Sequence, residues 1–396
     1  MNIVVGVSGS IAAYKAVDFV NQLHKSHHNV RVVMTKNATA FVTPLTFEAI
    51  SHNKCIVDMF APDADALEHI SLAKWADLCV IAPADANVIA KIANGLADDF
   101  LTTFTLAFDG PVLIAPAMNT VMYEQAVTQK NIQMLKSYGF DVIEPAIGVL
   151  ACGDDGRGKL ASIETLLFAV EKALTKQSLE GLKVIVSAGP TIGKIDPVRY
   201  VTNHSSGKMG FSIAKEAVLR GAEVTLVAGH IERETPLGAK RINVDTTQEM
   251  RDAIETELAH ADVLIMAAAP ADYAPKEYHE EKIKKADGEL VISFSKNIDI
   301  LKSLKPYTEN KVVVGFAAES HNLLENAQKK LEAKNLDFIV ANNIAGPQTA
   351  FKSNYNAATI IFKNGSQEEV PRQLKSELAG VILNHIETII KNREER

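Results

Sequence analysis

Two short stretches of this sequence hold the small and polar residues from which anion sites are built. Gly6-Val7-Ser8-Gly9-Ser10-Ile11-Ala12-Ala13-Tyr14-Lys15 closes an apolar run and opens an amphipathic one. Small residues there let backbone amides approach a phosphate at a helix start, and Ser8 and Ser10 add hydroxyl donors. The spacing is not the Gly-x-Gly-x-x-Gly dinucleotide fingerprint, which favours a ligand with a single phosphate. Further on, Asn203-His204-Ser205-Ser206-Gly207-Lys208-Met209-Gly210 puts Ser205, Ser206 and Gly207 at a second helix start. No Walker loop occurs, so phosphates must be held there in another way. Lys282-Ile283-Lys284-Lys285 is by default a solvated charge run, and Lys330 and Lys334 share one helix face. Taken singly, His69 reads as a packing or solvent-exposed residue, and Cys55 and Cys79 as inert thiols within apolar runs.

Composition narrows the partners. At 396 residues the chain is too long for one ordinary core. Its 47% hydrophobic and 22% charged content is that of a soluble globular protein. The net charge of −7, with neither half basic, argues against a nucleic-acid partner. No apolar run of about 18 residues is present, so no membrane span is expected. Met1 leads straight into Asn2-Ile3-Val4-Val5, which has no basic leader character. Three cysteines cannot build a disulfide framework and fit no zinc spacing, so a reducing cytoplasm is the expected location.

The elements that must position these residues follow an alternating pattern. Strands are expected at Ile3–Val7, Val30–Met34, Leu78–Ala82, Val112–Ala115 and Asp141–Ile143. Helices are expected near Ile11–Lys25, Asp85–Ala93, Asp98–Phe108, Val121–Ser137 and Ser162–Leu174, with glycine-rich Glu144–Lys159 as a flap or loop. After the polar link Thr175–Ser178 the pattern restarts. Strands are expected at Lys183–Ser187, Glu223–Ala228, Val263–Ala267, Val312–Gly315, Phe338–Ala341 and Thr359–Phe362. The helices are Lys208–Arg220, one opened by the capping box Thr246–Glu249, and Arg372–Lys391. This predicts an α/β protein of two Rossmann-like parallel-sheet domains, residues 1–176 and 177–396. Pro83–Asn87 and Ala268–Asp272 close similar strands, at the carboxyl ends where open α/β sheets bind ligands.

Read in order, the N-terminal motifs carry more than any one of them. They are Met34-Thr35, His69-Ile70-Ser71-Leu72-Ala73, Pro83-Ala84-Asp85-Ala86-Asn87, Pro116-Ala117-Met118-Asn119-Thr120-Val121-Met122-Tyr123 and Ala151-Cys152-Gly153-Asp154. The set resembles the flavin-dependent cysteine decarboxylases, specifically phosphopantothenoylcysteine decarboxylase, over residues 1–174. Tyr123 stands where many relatives have Trp, a change of packing rather than chemistry. The resemblance implies FMN as cofactor, with Gly9, Ser10, Thr35, Pro83 and Asn87 around it. It implies that FMN oxidises the cysteinyl –CH2–SH to a thioaldehyde, which lets the carboxylate leave as carbon dioxide. His69 is then the catalytic base or orienting group, Asn119 holds the substrate carboxylate and Cys152 supplies a proton from a closing flap.

From Ser187-Ala188-Gly189-Pro190-Thr191 onwards, a second set resembles phosphopantothenate–cysteine ligase over residues 181–396. It comprises the Asn203–Gly210 motif, Ala271-Asp272-Tyr273, Lys282–Lys285, Lys296-Asn297 and Gly315-Phe316-Ala317-Ala318-Glu319. The bacterial bifunctional form of that family uses CTP and Mg²⁺. The resemblance implies that the carboxylate of 4'-phosphopantothenate attacks the α-phosphate, releasing pyrophosphate, and that the cysteine amine then displaces CMP. Lys284 is assigned the transition-state charge, Asn203 the acyl group or amine, and Asp272 the metal or nucleotide. Phe316 lines the nucleotide pocket, and Ser205, Ser206, Lys282, Lys285, Lys330 and Lys334 meet nucleotide or phosphates. A trimer-based decarboxylase with dimeric ligase contacts is expected. The joined product, 4'-phosphopantothenoylcysteine, would pass to the first domain.

Alternatives on the same fold are a stand-alone decarboxylase of peptide C-terminal cysteines, a flavin prenyltransferase and a flavin-binding regulatory protein with a decarboxylase-like domain. The fused ligase motifs weigh against the first two. The joint presence of His69, Asn119 and Cys152 weighs against the third.

Overall fold

The computed structural model describes residues 1–61, 65, 67–150, 153–285, 289–319, 321–343 and 353–395. The chain divides into two compact units, Met1–Thr175 and Lys176–Arg396.

In the first unit, β1 (Asn2–Val7), α1 (Ala13–Lys25), β2 (Asn29–Met34), α2 (Pro44–Ser51), α3 (Glu68–Trp75) and β3 (Leu78–Ala84) come in turn. Then follow α4 (Ala86–Ala93), α5 (Phe100–Ala107), β4 (Val112–Pro116), α6 (Thr120–Glu124), α7 (Ala126–Ser137) and β5 (Asp141–Val142). The hairpin β6 (Ala146–Val149) and β7 (Asp155–Lys159) precedes α8 (Ile163–Leu174). The five-stranded sheet has order β2-β1-β3-β4-β5 and is parallel throughout. Residues of one strand alternate between faces. Accordingly Ile3, Val5 and Val7 join the core beneath α1 and α8, while Val4 joins the opposite core with Ile89, Phe104 and Leu135. This two-sided burial is why β1 reads as one unbroken apolar run.

Two expectations fail here for local reasons. The single helix expected over Val121–Ser137 is broken at Gln125, whose ψ of 134° is extended. The Gln129 side chain donates to the Tyr123 carbonyl at 2.6 Å, replacing a helical bond lost at the break. The expected flap at Glu144–Lys159 contains an antiparallel hairpin rather than irregular loop. Its β7 is glycine-rich because it packs against the chain at Met118–Thr120: a Cβ on Gly158, at φ +129°, would lie 2.3 Å from Met118 O. The helices α2 and α3 had not been expected, although Pro44 after Thr43 is a helix-start signal.

The second unit runs β8 (Lys183–Ala188), β9 (Ile192–Lys194), β10 (Tyr200–Thr202), α9 (Lys208–Leu219), β11 (Glu223–Ala228), β12 (Lys240–Asn243), α10 (Thr247–Leu258) and β13 (Val263–Met266). It continues with β14 (Tyr273–Pro275), β15 (Phe294–Lys296), α11 (Ile300–Leu304), β16 (Val312–Glu319), α12 (Leu323–Lys334) and β17 (Phe338–Asn343). It ends with β18 (Tyr355–Phe362), β19 (Gln367–Leu374) and α13 (Lys375–Glu394). The eight-stranded sheet has order β12-β11-β8-β13-β16-β17-β18-β19, and β9/β10 and β14/β15 form two small antiparallel pairs. Its strands are parallel up to β17, but β18 and β19 run antiparallel, so this sheet is mixed. The helix expected from Arg372 starts at Lys375, because Arg372 belongs to the edge strand β19. The capping box at Thr246 and Glu249 is present as expected.

Candidate functional site

Each unit presents a cleft at the carboxyl ends of its central strands, and in each a serine at the end of the first strand braces the neighbouring turn. In the first unit Ser8 is fully buried. Its hydroxyl donates to Pro83 O at 2.9 Å and accepts from Asp85 N–H at 2.8 Å. Asp85 in turn caps α4, accepting from Val88 N–H at 2.8 Å. Gly9 is sterically required, since a Cβ there would lie 2.6 Å from Asn37 Cβ.

The cleft that opens beside this turn has a volume of about 550 Å³. Gly9, Ser10, Ile11, Met118, Asn119, Met122 and Leu150 are among the residues that line it. Most of the wall is apolar, which suits a flat aromatic ring, with small residues at the helix start for a phosphate. Asn119 caps α6 by accepting from Val121 N–H at 2.8 Å, and its amide nitrogen donates to Asp154 Oδ2 at 3.0 Å. That bond ties the α6 start to the β6–β7 hairpin.

Gly9, Ser10 and Asn119 therefore meet as expected, while other assigned residues stand apart. Thr35 is buried beside the turn, where its hydroxyl accepts from Ala38 N–H at 3.3 Å. The Pro83 carbonyl is already bound by Ser8, and Asn87 is exposed on the first turn of α4. None of the three lines the cleft. His69 sits on α3, also outside the lining, and its buried Nδ1 has no hydrogen-bond partner among the described residues. A buried polar atom left this way calls for a partner that the described residues do not supply. Cys152 lies outside the described residues. Cys55 and Cys79 are buried; burial pushes the Cys55 thiol up to about 12 and raises that of Cys79 as well, so both are inert.

In the second unit Ser187 plays the part of Ser8, accepting from Ala268 N–H at 3.1 Å. The rest of the 268–272 loop is held by Thr191, which accepts from Ala271 N–H at 2.8 Å, and by Asn297, which donates to Ala271 O at 2.7 Å. Asn203 donates to Ala269 O at 3.1 Å and Pro270 O at 3.2 Å. Gly207 opens α9 at φ +68°, where a Cβ would come within 2.5 Å of Ile231 Cδ1. These constraints shape a cleft of about 830 Å³. Asn203, Ser205, Ser206, Asp272, Phe316 and Lys330 all line it, although they are spread over more than a hundred positions of the sequence. The sequence reading missed Lys208, Lys375, Asn342 and Asn356 on the same wall. Only Lys208 carried a signal, through its place after Ser205-Ser206-Gly207.

The remaining lysines stand apart from this cleft. Lys282, Lys284 and Lys285 are exposed and do not line the cleft. Their segment is anchored elsewhere: Asp196 accepts from Ile283 N–H at 3.2 Å, and Arg199 donates to Ile283 O at 3.0 Å. The Arg199 guanidinium, at 2.5 Å, holds the Asp196 carboxyl well below the usual carboxylate range; burial opposes this and backbone amides assist it. Lys334 is paired with Asp299 at 3.0 Å and does not line the cleft. Among the described residues no group of three or more His, Cys, Asp or Glu is gathered to hold a metal. Asp272 thus fits Mg²⁺ only in the manner of sites that complete their shell with nucleotide phosphates and water.

With this geometry in place, similarity to known proteins is informative. The family model described as Flavoprotein matches residues 1–175, and the DNA/pantothenate metabolism flavoprotein C-terminal domain matches residues 179–390. The coenzyme A biosynthesis bifunctional protein of Bacillus subtilis (strain 168) is 42% identical over 400 residues, covering 100% of this chain and 98% of that protein. Its counterpart from Haemophilus influenzae is 45% identical over 393 residues, covering 97% and 96%. That of Escherichia coli (strain K12) is 42% identical over 405 residues, covering 100% and 98%. The two braced clefts lie one in each matched domain, and the chain belongs to the family of coenzyme A biosynthesis bifunctional proteins.

Proposed function

We propose that the chain joins cysteine to 4'-phosphopantothenate using CTP and Mg²⁺, and then decarboxylates the 4'-phosphopantothenoylcysteine to 4'-phosphopantetheine. The observation that carries this reading is the meeting of Asn203, Ser205, Ser206, Asp272, Phe316 and Lys330 in one cleft, within a chain similar end to end to bifunctional relatives. The working regions are residues 1–176 for decarboxylation and 177–396 for ligation.

In the ligase cleft, the carboxylate of phosphopantothenate attacks the α-phosphate, an acyl-cytidylate forms and pyrophosphate leaves. Such transfer needs positioning and charge compensation more than covalent help. Ser205, Ser206 and Lys330 would hold phosphates, Asp272 the metal and Phe316 the base. Asn203 directs its amide nitrogen at two backbone carbonyls. Its oxygen therefore suits an incoming amine, which donates, better than an acyl carbonyl, which accepts. Lys284, with Lys282 and Lys285, would reach the nucleotide from a paired copy or by movement of its segment.

In the first cleft, Ser10 and the Gly9 turn would hold the phosphate of FMN, and Ile11, Met118 and Met122 its ring. When bound, FMN supplies the two-electron sink that loss of the carboxylate requires. Asn119 already donates to one carboxylate, that of Asp154, which is the chemistry its role on the substrate needs. His69 would act as base or orienting group, from a subunit interface that also occupies its buried Nδ1. Cys152 would return a proton to the product. Both the His69 placement and the exposed lysines favour an assembly of trimeric decarboxylase and dimeric ligase contacts. Cytoplasmic localisation follows from the metabolic reading, and no described helix is long and apolar enough to cross a membrane.

The test is incubation with 4'-phosphopantothenate, cysteine, CTP and Mg²⁺. Carbon dioxide and 4'-phosphopantetheine should form only when all four are present. Flavin binding without product would favour the regulatory reading instead.

A further inference from the structure

A different pair of lysines stands on the inner wall of the second cleft. Lys375 opens α13 and is only 5% exposed, yet it lines the cleft with Ser205, Ser206 and Lys208. Its backbone N–H donates to Asn354 O at 2.9 Å, and the Asn354 side-chain oxygen accepts from Lys208 Nζ at 2.7 Å. One residue thus clasps both lysines, from two elements 167 positions apart in sequence (208 and 375).

An ammonium taken out of water is disfavoured, and a like charge nearby disfavours it further. Burial first, then Lys208 and Arg233, push Lys375 down to about 8. The other charged groups on the cleft wall are Lys330 from α12 and Asp272 from the loop after β13. A methionine would fill the same space without assembling cations around a cleft. The arrangement makes physical sense if an anion of high charge density occupies the wall during function, because that ligand would offset the mutual repulsion.

We infer that Lys375 and Lys208 form a clamp for the polyphosphate tail of the nucleotide, and for the pyrophosphate that departs from it. This deepens the ligase reading above and rests on it for the identity of the nucleotide. The two lysines approach from the α13 and α9 starts, and Ser205 and Ser206 lie beside Lys208 on the same wall. Their clamp is distinct from the exposed Lys282–Lys285 segment.

The experiment is calorimetric titration of magnesium pyrophosphate into the full-length, flavin-loaded protein and its Lys375→Met variant, with thermal melts of both. The variant should bind pyrophosphate about ten- to a hundredfold more weakly, the usual effect of losing a charged hydrogen-bond partner. Its melting temperature should hold or rise, since a disfavoured buried cation has been removed. Lys375→Arg should recover most of the affinity. Unchanged pyrophosphate binding in Lys375→Met overturns the clamp, and so does a joint fall in binding and melting temperature, which marks a lysine that merely builds the cleft. If Lys375→Met does not fold, the parent is titrated with magnesium CTP at pH 8 in buffers of different ionisation enthalpy. Proton uptake on binding supports the clamp, and its absence overturns it. Titration with 4'-phosphopantothenate separates the two phosphate sources: weakening of that ligand with pyrophosphate spared overturns the polyphosphate assignment. Pyrophosphate binding that depends on Lys375, in a protein indifferent to CTP, would instead count against the nucleotide reading and leave the clamp standing.

Discussion

The two units build two differently walled clefts on one piece of hardware. Ser8 and Ser187 both lie at the carboxyl end of the first strand of their sheet, and both hold the turn that follows the adjacent strand. That turn is Pro83–Asp85 in one unit and Ala268–Asp272 in the other. The walls differ. Ile11, Met118, Met122 and Leu150 make the first cleft apolar, while Lys208, Lys330 and Lys375 with two serines make the second cationic. The shared brace is a folding device, and the wall residues set the chemical difference between an apolar cleft and a cationic one.

The sharpest break of the comparison is at His69. In His69→Asn the apolar cleft is untouched, so the protein should stay yellow while decarboxylation falls on the order of 10²–10⁴-fold, as for loss of a general base. Carbon dioxide release near the parent rate would remove His69 from the chemistry. On the cationic side, Lys284→Gln should slow pyrophosphate release by on the order of 10²–10³-fold, as for one lost electrostatic contact. Asn203→Asp should still release pyrophosphate but stall as acyl-cytidylate when cysteine is added. Mass spectrometry of the trapped intermediate reads this, and the opposite pattern would reverse the two roles.

Smaller effects test the brace itself. Ser8→Ala leaves Asp85 N–H and Pro83 O in a buried site without the hydroxyl, a loss of about 1–3 kcal/mol. Ser187→Ala should cost less, because the Ser187 hydroxyl donates only to the Met266 thioether at 3.5 Å. Equal losses in denaturant unfolding would mean that the two serines are not graded in this way. The least effect is in alkali. The folded Lys375 is depressed to about 8, below the ordinary lysine range, so between the two the unfolded chain binds more protons. Stability from this group therefore rises with pH across that window. The melting-temperature gap between parent and Lys375→Met should shrink over the same range; a constant gap would place the Lys375 ammonium in water.

Much of this was legible before any coordinates. Unbroken apolar runs such as Ile3–Val7 mark strands buried on both faces, and Thr246 with Glu249 marks a helix start through a bond only three residues long. The helix break at Gln125 was hidden because neither Gln125 nor its neighbours are breakers; the Gln129 side chain makes the interruption tolerable. The surroundings of the lysines were hidden for a related reason. Clustering along the chain made Lys282, Lys284 and Lys285 conspicuous, yet their segment is held by Asp196 and Arg199 away from the cleft lining. Lys334 has the same helical spacing as a phosphate ligand but spends its charge on Asp299.

The sequence by itself determined what depends on neighbours: the alternation of strands and helices, the small-residue turns at Gly9 and Gly207, the caps, and the motif order that carries the family resemblance. Only the tertiary structure decided which of those turns share a wall. Asn203, Asp272, Phe316, Lys330 and Lys375 meet because the strand order β8-β13-β16-β17-β18-β19 brings the segments that carry them to the carboxyl ends of the central strands. Side-chain spacing in a helix or strand is set by local backbone geometry, whereas strand order is set by burial of the whole sheet between its helices. A residue such as Lys375, ordinary in its local sequence, therefore acquires a role only when that burial puts it beside Lys208.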